Sequence, residues 1–141
     1  MLRGVVIRRT GGDTVGANTA TAYLELPPPL QRLADDLWVV HCNAFDPTIF
    51  HQPTKADRKH FVKVLEARLE TEHPLVRVHP ETGERALVLG IYEKRFVDVP
   101  RYYGQRLFNL FESHIIAPEN TLRWNWRQDD VVIWDKRATM H

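Results

Sequence analysis

Leu122-Arg123-Trp124-Asn125-Trp126-Arg127-Gln128-Asp129-Asp130-Val131-Val132-Ile133-Trp134 is the stretch that decides the fold class. Leu122, Trp124 and Trp126 alternate with Arg123, Asn125 and Arg127, the period-two pattern of a half-buried strand with indoles on one face and arginines on the other. Gln128-Asp129-Asp130 carries turn residues, and Val131 to Trp134 reads as a returning strand. An interleaving of bases and aromatics also suits a nucleic-acid platform, but stacking needs both on one exposed face. Strict alternation separates them, so core indoles on a barrel strand are the expectation.

Working outward, the upstream chain repeats the theme of short strands and turns. Leu2 to Arg9 is β-branched and reads as a strand, followed by a turn at Gly11-Gly12-Asp13. Ala20, Tyr23 and Leu24 have helical spacing, with Asn18 or Thr19 as the cap. Pro27-Pro28-Pro29 ends that helix, and its last proline can open another through Leu30 and Leu33. Trp38 to Cys42 reads as a strand, and Ala44 to Pro53 as a loop. Thr54 with Asp57 resembles a capping box, and Phe61, Val64, Leu65 and Leu69 continue as an apolar stripe. Leu75 to His79 and Ala86 to Leu89 are expected to pair as a hairpin across Pro80-Glu81-Thr82-Gly83, where Gly83 supplies a positive φ. Tyr103, Leu107, Leu110, Phe111 and His114 form another helical stripe, stopped by Pro118. Many short strands with helices packed outside them point to a mainly β jelly roll with helical decoration.

Composition limits the function. The 141 residues suffice for one domain, with 43% apolar and 26% charged residues, the balance of a soluble globular chain. No apolar run approaches the ~20 residues of a spanning helix, and the N-terminal apolar stretch is too short for a signal peptide, so a cytoplasmic protein without membrane association is expected. Cys42 is the only cysteine, which excludes an internal disulfide and a thiolate cluster. The net charge of +1, mixed along the chain, gives no phosphate-seeking surface and speaks against nucleic acid as a partner. The only serine, Ser113, has no Gly-x-Ser-x-Gly around it, and no glycine-rich nucleotide loop occurs.

Seven histidines invite a search for a metal site. His73 and His79 lie six apart, about 20 Å if extended, and cannot share an ion without a sharp bend. Each precedes a proline, and both read as structural histidines bonded to backbone. His60 reads as solvated, His114 as a satisfied histidine at the core boundary, and His41 carries no assignment. Gly11-Gly12-Asp13-Thr14 is an ordinary tight turn, although a threonine hydroxyl after it is well placed to meet a ligand carboxylate.

Three segments together resemble one family. Gly11-Gly12-Asp13-Thr14 with Ala17-Asn18-Thr19-x-x-Ala22-Tyr23 and Leu26-Pro27 is similar to the mid-chain segment of the taurine dioxygenase and alkylsulfatase (TauD/TfdA-like) family. His73-Pro74-Leu75-Val76-Arg77-Val78-His79-Pro80-Glu81-Thr82-Gly83 resembles its central hairpin. Arg123-Trp124-x-Trp126 and Trp134-Asp135-x-Arg137-Ala138-Thr139-x-His141 resemble its last recognisable block. The chain departs from the family at Gly16, Lys136 and Met140, where an aromatic, an asparagine and a polar residue are usual.

The resemblance implies a double-stranded β-helix that uses Fe(II) with 2-oxoglutarate as co-substrate. The reaction it implies hydroxylates the carbon next to a sulfonate, sulfate or ether while 2-oxoglutarate is decarboxylated to succinate and CO2. It carries the distal histidine ligand onto His141, the threonine that bonds the 2-oxoglutarate carboxylate onto Thr14, and an indole near the iron onto Trp134. The family's His-x-Asp ligand pair lies upstream of the Gly-Gly-Asp-Thr segment, and its co-substrate arginine lies after the distal histidine. Neither a His-x-Asp nor a His-x-Glu substitute is expected within these residues. Residues 1–141 are therefore expected to be a single domain truncated at both ends, an incomplete jelly roll inactive as this chain alone. Its expected partner is a small sulfonate or sulfate-ester substrate, and its full-length parent is expected to be a homo-oligomer. The alternative is a non-catalytic β-fold remnant that binds a small acid or a protein partner.

Overall fold

The structure is a computed structural model, and it describes residues 1–42, 69–90 and 93–141. The loop expected over Ala44–Pro53 and the helix expected after Thr54 lie outside the described residues, apart from Leu69. Among the described residues, short antiparallel strands pair into four small sheets packed against helices.

The sheet that matters for the site is three-stranded. Its central strand, β2 (Thr14–Asn18), lies between β8 (Thr121–Trp124) and β10 (Thr139–Met140). Thr14 pairs with Trp124 and Gly16 with Leu122, while Met140 pairs with Ala17 and Thr139 with Asn18. A second sheet has β3 (Trp38–Cys42) between β4 (Glu70–Pro74) and β7 (Glu93–Phe96). β5 (Val76–Val78) and β6 (Arg85–Leu87) form the expected hairpin, and Gly83 in its loop has φ +74°. The fourth sheet pairs β1 (Leu2–Arg3) with β9 (Val131–Val132).

Two sequence expectations are corrected here. The first strand ends at Arg3 rather than Arg9: Gly4 still bonds to Asp129 and Asp130, but beyond it the chain has no ladder partner, and Val6 stays 88% exposed. The turn at Gln128–Asp130 forms, but the strands either side of it do not pair with each other. β8 pairs with β2, and β9 pairs with β1.

Helices cover one side. α1 (Thr19–Glu25) begins directly where β2 ends, because the Asn18 side-chain oxygen accepts from the backbone N–H of Ala20 (3.1 Å) and Thr21 (3.0 Å). α2 (Pro28–Asp36) opens on two prolines, and α3 (Arg101–Ile115) runs to a C-cap at Ile116. Ala17, Tyr23, Leu75, Leu87, Phe96 and Phe111 meet in one core between the helices and the strands. The Tyr23 hydroxyl also ties three elements together. It donates to Asp35 (3.1 Å) and accepts from Arg85 (3.1 Å), which is itself ion-paired with Asp35 at 2.8 Å. Asp35 holds the Arg85 guanidinium above its ordinary pKa, together with Tyr23, whose hydrogen bond is the largest cause.

On β3 and β4, the rings of His41 and His73 meet edge to face, 4.2 Å between centroids. Burial, then the neighbouring His73 and Arg77, push the His41 pKa down to about 4. Its unfolded value is near 6.5, so the unfolded chain takes up a proton between those two values that the folded chain refuses. Stability should be fully present above pH ~6.5, fall as the pH drops toward ~4, and level off below that. Urea midpoints measured from pH 7 to pH 4 should show this decline, and His41→Gln should flatten it. Asn18→Ala should cost about 1 kcal/mol in the same assay at neutral pH, because two helix N–H groups lose their acceptor.

Candidate functional site

Directly opposed residues of antiparallel strands share a face, and successive residues alternate. Ala17 and its partner Met140 point into the helix-covered core. The alternate set therefore points away from it: Thr14 and Gly16 on β2, with Trp124 and Leu122 opposite them. Thr14 and His141, the two residues singled out from the sequence, come to the same sheet, Thr14 on its central strand and His141 directly after its edge strand β10. The face carrying Thr14 is open. Leu122 is 67% exposed and Trp124 38% exposed, so the expectation of an indole face buried in a core is corrected for these residues.

Thr14 is held by a neighbour that sequence pattern reads only as core. The Trp126 indole N–H donates to the Thr14 hydroxyl oxygen at 3.0 Å. That bond occupies an acceptor site and leaves the hydroxyl proton free to donate, which is the polarity a carboxylate ligand requires. Asp13 braces the same corner, accepting from Asn125 at 2.9 Å with Arg123 at 3.7 Å. Gly4 packs beneath it, bonded to the turn through Gly4 N–H to Asp130 O (2.9 Å) and Asp129 N–H to Gly4 O (2.8 Å). A Cβ there would stand 2.8 Å from the Arg127 carbonyl oxygen and 3.2 Å from the Trp126 ring, so only glycine lets Trp126 reach Thr14 undisturbed. The alternation from Trp124 to Trp126 was the available signal for this contact.

His141 packs on Trp134, 4.4 Å between ring centroids and tilted by 59°. Partial burial, followed by Lys136 and the chain's amino terminus, lowers its pKa, so the imidazole is neutral at pH 7 and its lone pair is available to a metal. The turn leading into β10 is internally bonded. Asp135 accepts the Arg137 N–H at 2.8 Å, and the Thr139 hydroxyl donates to the Asp135 carbonyl. That backbone bond is the largest cause holding the Asp135 carboxyl below its ordinary range, with the His79 bond next.

His51 and His60 lie outside the described residues, and the other described histidines make contacts of their own. His73 contacts the Pro74 carbonyl at 3.3 Å, and His79 Nδ1 accepts the backbone N–H of Glu81 (3.3 Å) and Thr82 (3.2 Å), so both are bonded to backbone as expected. His114 departs from expectation, since its buried Nε2 has no hydrogen-bond partner. The chain does contain one His-x-Glu, His79-Pro80-Glu81, against the expectation of none. It is not free for a metal: the other nitrogen of His79 is bonded to Asp135 at 3.0 Å, and Glu81 lies 3.6 Å from Arg137. Among the described residues no three His, Cys, Asp or Glu side chains gather as a metal site. A three-donor iron centre therefore does not fit these residues alone; they offer His141 as one donor. No described helix is long and apolar enough to cross a membrane.

The chain is 49% identical over its whole length to an alpha-ketoglutarate-dependent sulfate ester dioxygenase of Pseudomonas putida, covering 48% of that protein. It is 46% identical to an alkylsulfatase of Acinetobacter baylyi, covering 45% of it. The chain thus spans about half the length of these relatives. A taurine dioxygenase structure from Burkholderia xenovorans, 40% identical, superposes on 97% of this chain and 43% of that one with a TM-score of 0.77. The strand-rich, helix-decorated architecture is that of these jelly-roll dioxygenases, and the family model described as "Taurine catabolism dioxygenase TauD, TfdA family" matches residues 1–141 throughout, so the chain belongs to the TauD/TfdA family.

Proposed function

We propose that these residues form the co-substrate-binding and distal-histidine part of an Fe(II)/2-oxoglutarate-dependent dioxygenase. In this reading O2 is the oxidant: one of its atoms ends in succinate as 2-oxoglutarate loses CO2, the other hydroxylates the carbon bearing the sulfate, and the hydroxylated ester collapses to an aldehyde and sulfate. The observation that carries it is the Thr14 hydroxyl, oriented as a donor by Trp126 on the sheet whose edge strand β10 leads directly into His141. Thr14 donates to a carboxylate of 2-oxoglutarate, and His141 contributes one neutral imidazole to the iron. The other ligands must come from beyond the described residues. Sulfate ester is preferred to sulfonate because the two relatives near half identity are named for sulfate-ester cleavage, whereas a sulfonate dioxygenase of Saccharomyces cerevisiae is 31% identical. The absence of a three-donor group among the described residues favours a second reading, a fold that binds a small acid without catalysis.

A chimera separates the two readings. Residues 1–141 replace the matching segment of the Pseudomonas putida enzyme, and succinate formation is followed with Fe(II), 2-oxoglutarate and an alkyl sulfate. Turnover is expected; a folded chimera that binds 2-oxoglutarate and makes no succinate supports the binding-only reading. In the active chimera, Thr14→Ala should raise the 2-oxoglutarate KM about ten- to a hundredfold, the equivalent of ~1.5–3 kcal/mol for a hydrogen bond to a charged group. An unchanged KM with a lowered Tm would make Thr14 a turn residue only. His141→Ala should abolish turnover while leaving the Tm within a few degrees, because the residue is exposed.

A further inference from the structure

Two motifs 56 residues apart meet through a side-chain bond from His79 to Asp135. His79, at the end of the β5–β6 hairpin's first strand, is 6% exposed, and its Nε2 lies 3.0 Å from Asp135 Oδ2. The tautomer follows from its other contacts. Nδ1 accepts two backbone N–H groups, from Glu81 and Thr82, so it carries no proton and Nε2 must be the donor to Asp135. Asp135 uses its second oxygen to accept the Arg137 N–H, closing the turn that delivers Thr139 and Met140 to β2. Beside it, Arg137 and Glu81 lie 3.6 Å apart as a second, exposed link between the same two segments, worth little by itself.

The turn so fixed is flanked by two residues that stack on each other. Trp134 precedes Asp135, and His141 follows β10, with their rings in contact. A short strand of two residues has little pairing of its own to hold its register. A part-buried bond from the hairpin to the turn supplies the missing anchor.

We propose that His79 is a positioning residue: its Nε2–H, through Asp135, fixes the turn that sets Trp134 against His141. The proposal deepens the reading of His141 as a site residue and rests on it for its functional meaning. The ring contact itself can be read without any metal or turnover.

The test uses NMR of the 141-residue chain with labelled histidine and tryptophan. In the unsubstituted protein, His79 should show an unprotonated Nδ1 and a protonated Nε2, and His141 ring protons should show an NOE to Trp134 and a ring-current displacement. His79→Gln places an amide N–H near the Nε2 position and should retain the NOE and the displacement. His79→Asn places its amide near the Nδ1 position, keeps an acceptor for the turn, and should lose both signals. Asp135→Ala should lose them as well, with its thermal transition still cooperative. The opposite His79 tautomer, or an Asn variant that keeps the ring contact as well as the Gln variant does, would overturn the proposal. If both His79 variants fail to fold, the tautomer and Asp135→Ala decide it. Failure of the chimera's activity would leave these signals untouched, so the two readings fail separately.

Discussion

The pairing of Thr14–Asn18 with strands more than a hundred residues downstream is the constraint on which the described structure depends. β2 is bonded along both edges, to Thr121–Trp124 on one side and Thr139–Met140 on the other. Closing such loops costs chain entropy that grows only slowly with length, about 0.6 kcal/mol per doubling, so a modest ladder with a packed face can hold them. The last residue of β2 does a second job. Asn18 caps α1, and the Thr19 N–H continues the ladder to Ala138 at 2.9 Å. One five-residue strand therefore fixes the start of the helix that builds the core and the position of the threonine that builds the site.

Sequence pattern reached some of this and missed the strand at its centre, for a physical reason. Thr-Val-Gly-Ala-Asn holds glycine, alanine and asparagine, all poor strand formers, and it forms a strand because both edges are paired. Glu70–Pro74 and Glu93–Phe96 are similar, rich in charge and recruited by β3 rather than by their own propensity. The reverse error occurred at Val5 and Val6, which have β composition but no ladder partner. Features carried by local chemistry were legible. The Asn18 cap, the proline-opened helix, the Gly83 turn and the β5–β6 hairpin need only neighbours in sequence to be specified.

The site divides along the same line. Thr14 and His141 were found by motif resemblance, because no periodicity marks a lone threonine or a lone histidine. That they come to one sheet follows only from strand pairing, which a single sequence does not state. Trp126 was read as a core indole because alternation tells which side a residue takes and not what stands over it. The His79–Asp135 bond was invisible for a related cause: each motif is locally complete, and only tertiary packing shows that one closes the other.

The two faces of the central sheet are unequal in a way that bears on the chemistry. The helix side buries Ala17 and packs Met140 against the core while leaving Val15 45% exposed, whereas the side with Thr14 leaves Leu122 67% and Trp124 38% exposed. A hydroxyl-to-carboxylate bond in bulk water is nearly an exchange of one hydrogen bond for another. The same bond strengthens severalfold when the effective dielectric falls, because water no longer competes for either partner. The indoles and Leu122 are the apolar surface against which such a covering layer would gain free energy. The residues that make the open face apolar are thus those that would let Thr14 bind tightly once it is covered. On the proposed reading, affinity for 2-oxoglutarate depends on what covers this face, with Thr14 supplying direction and the surrounding aromatic surface supplying the dryness.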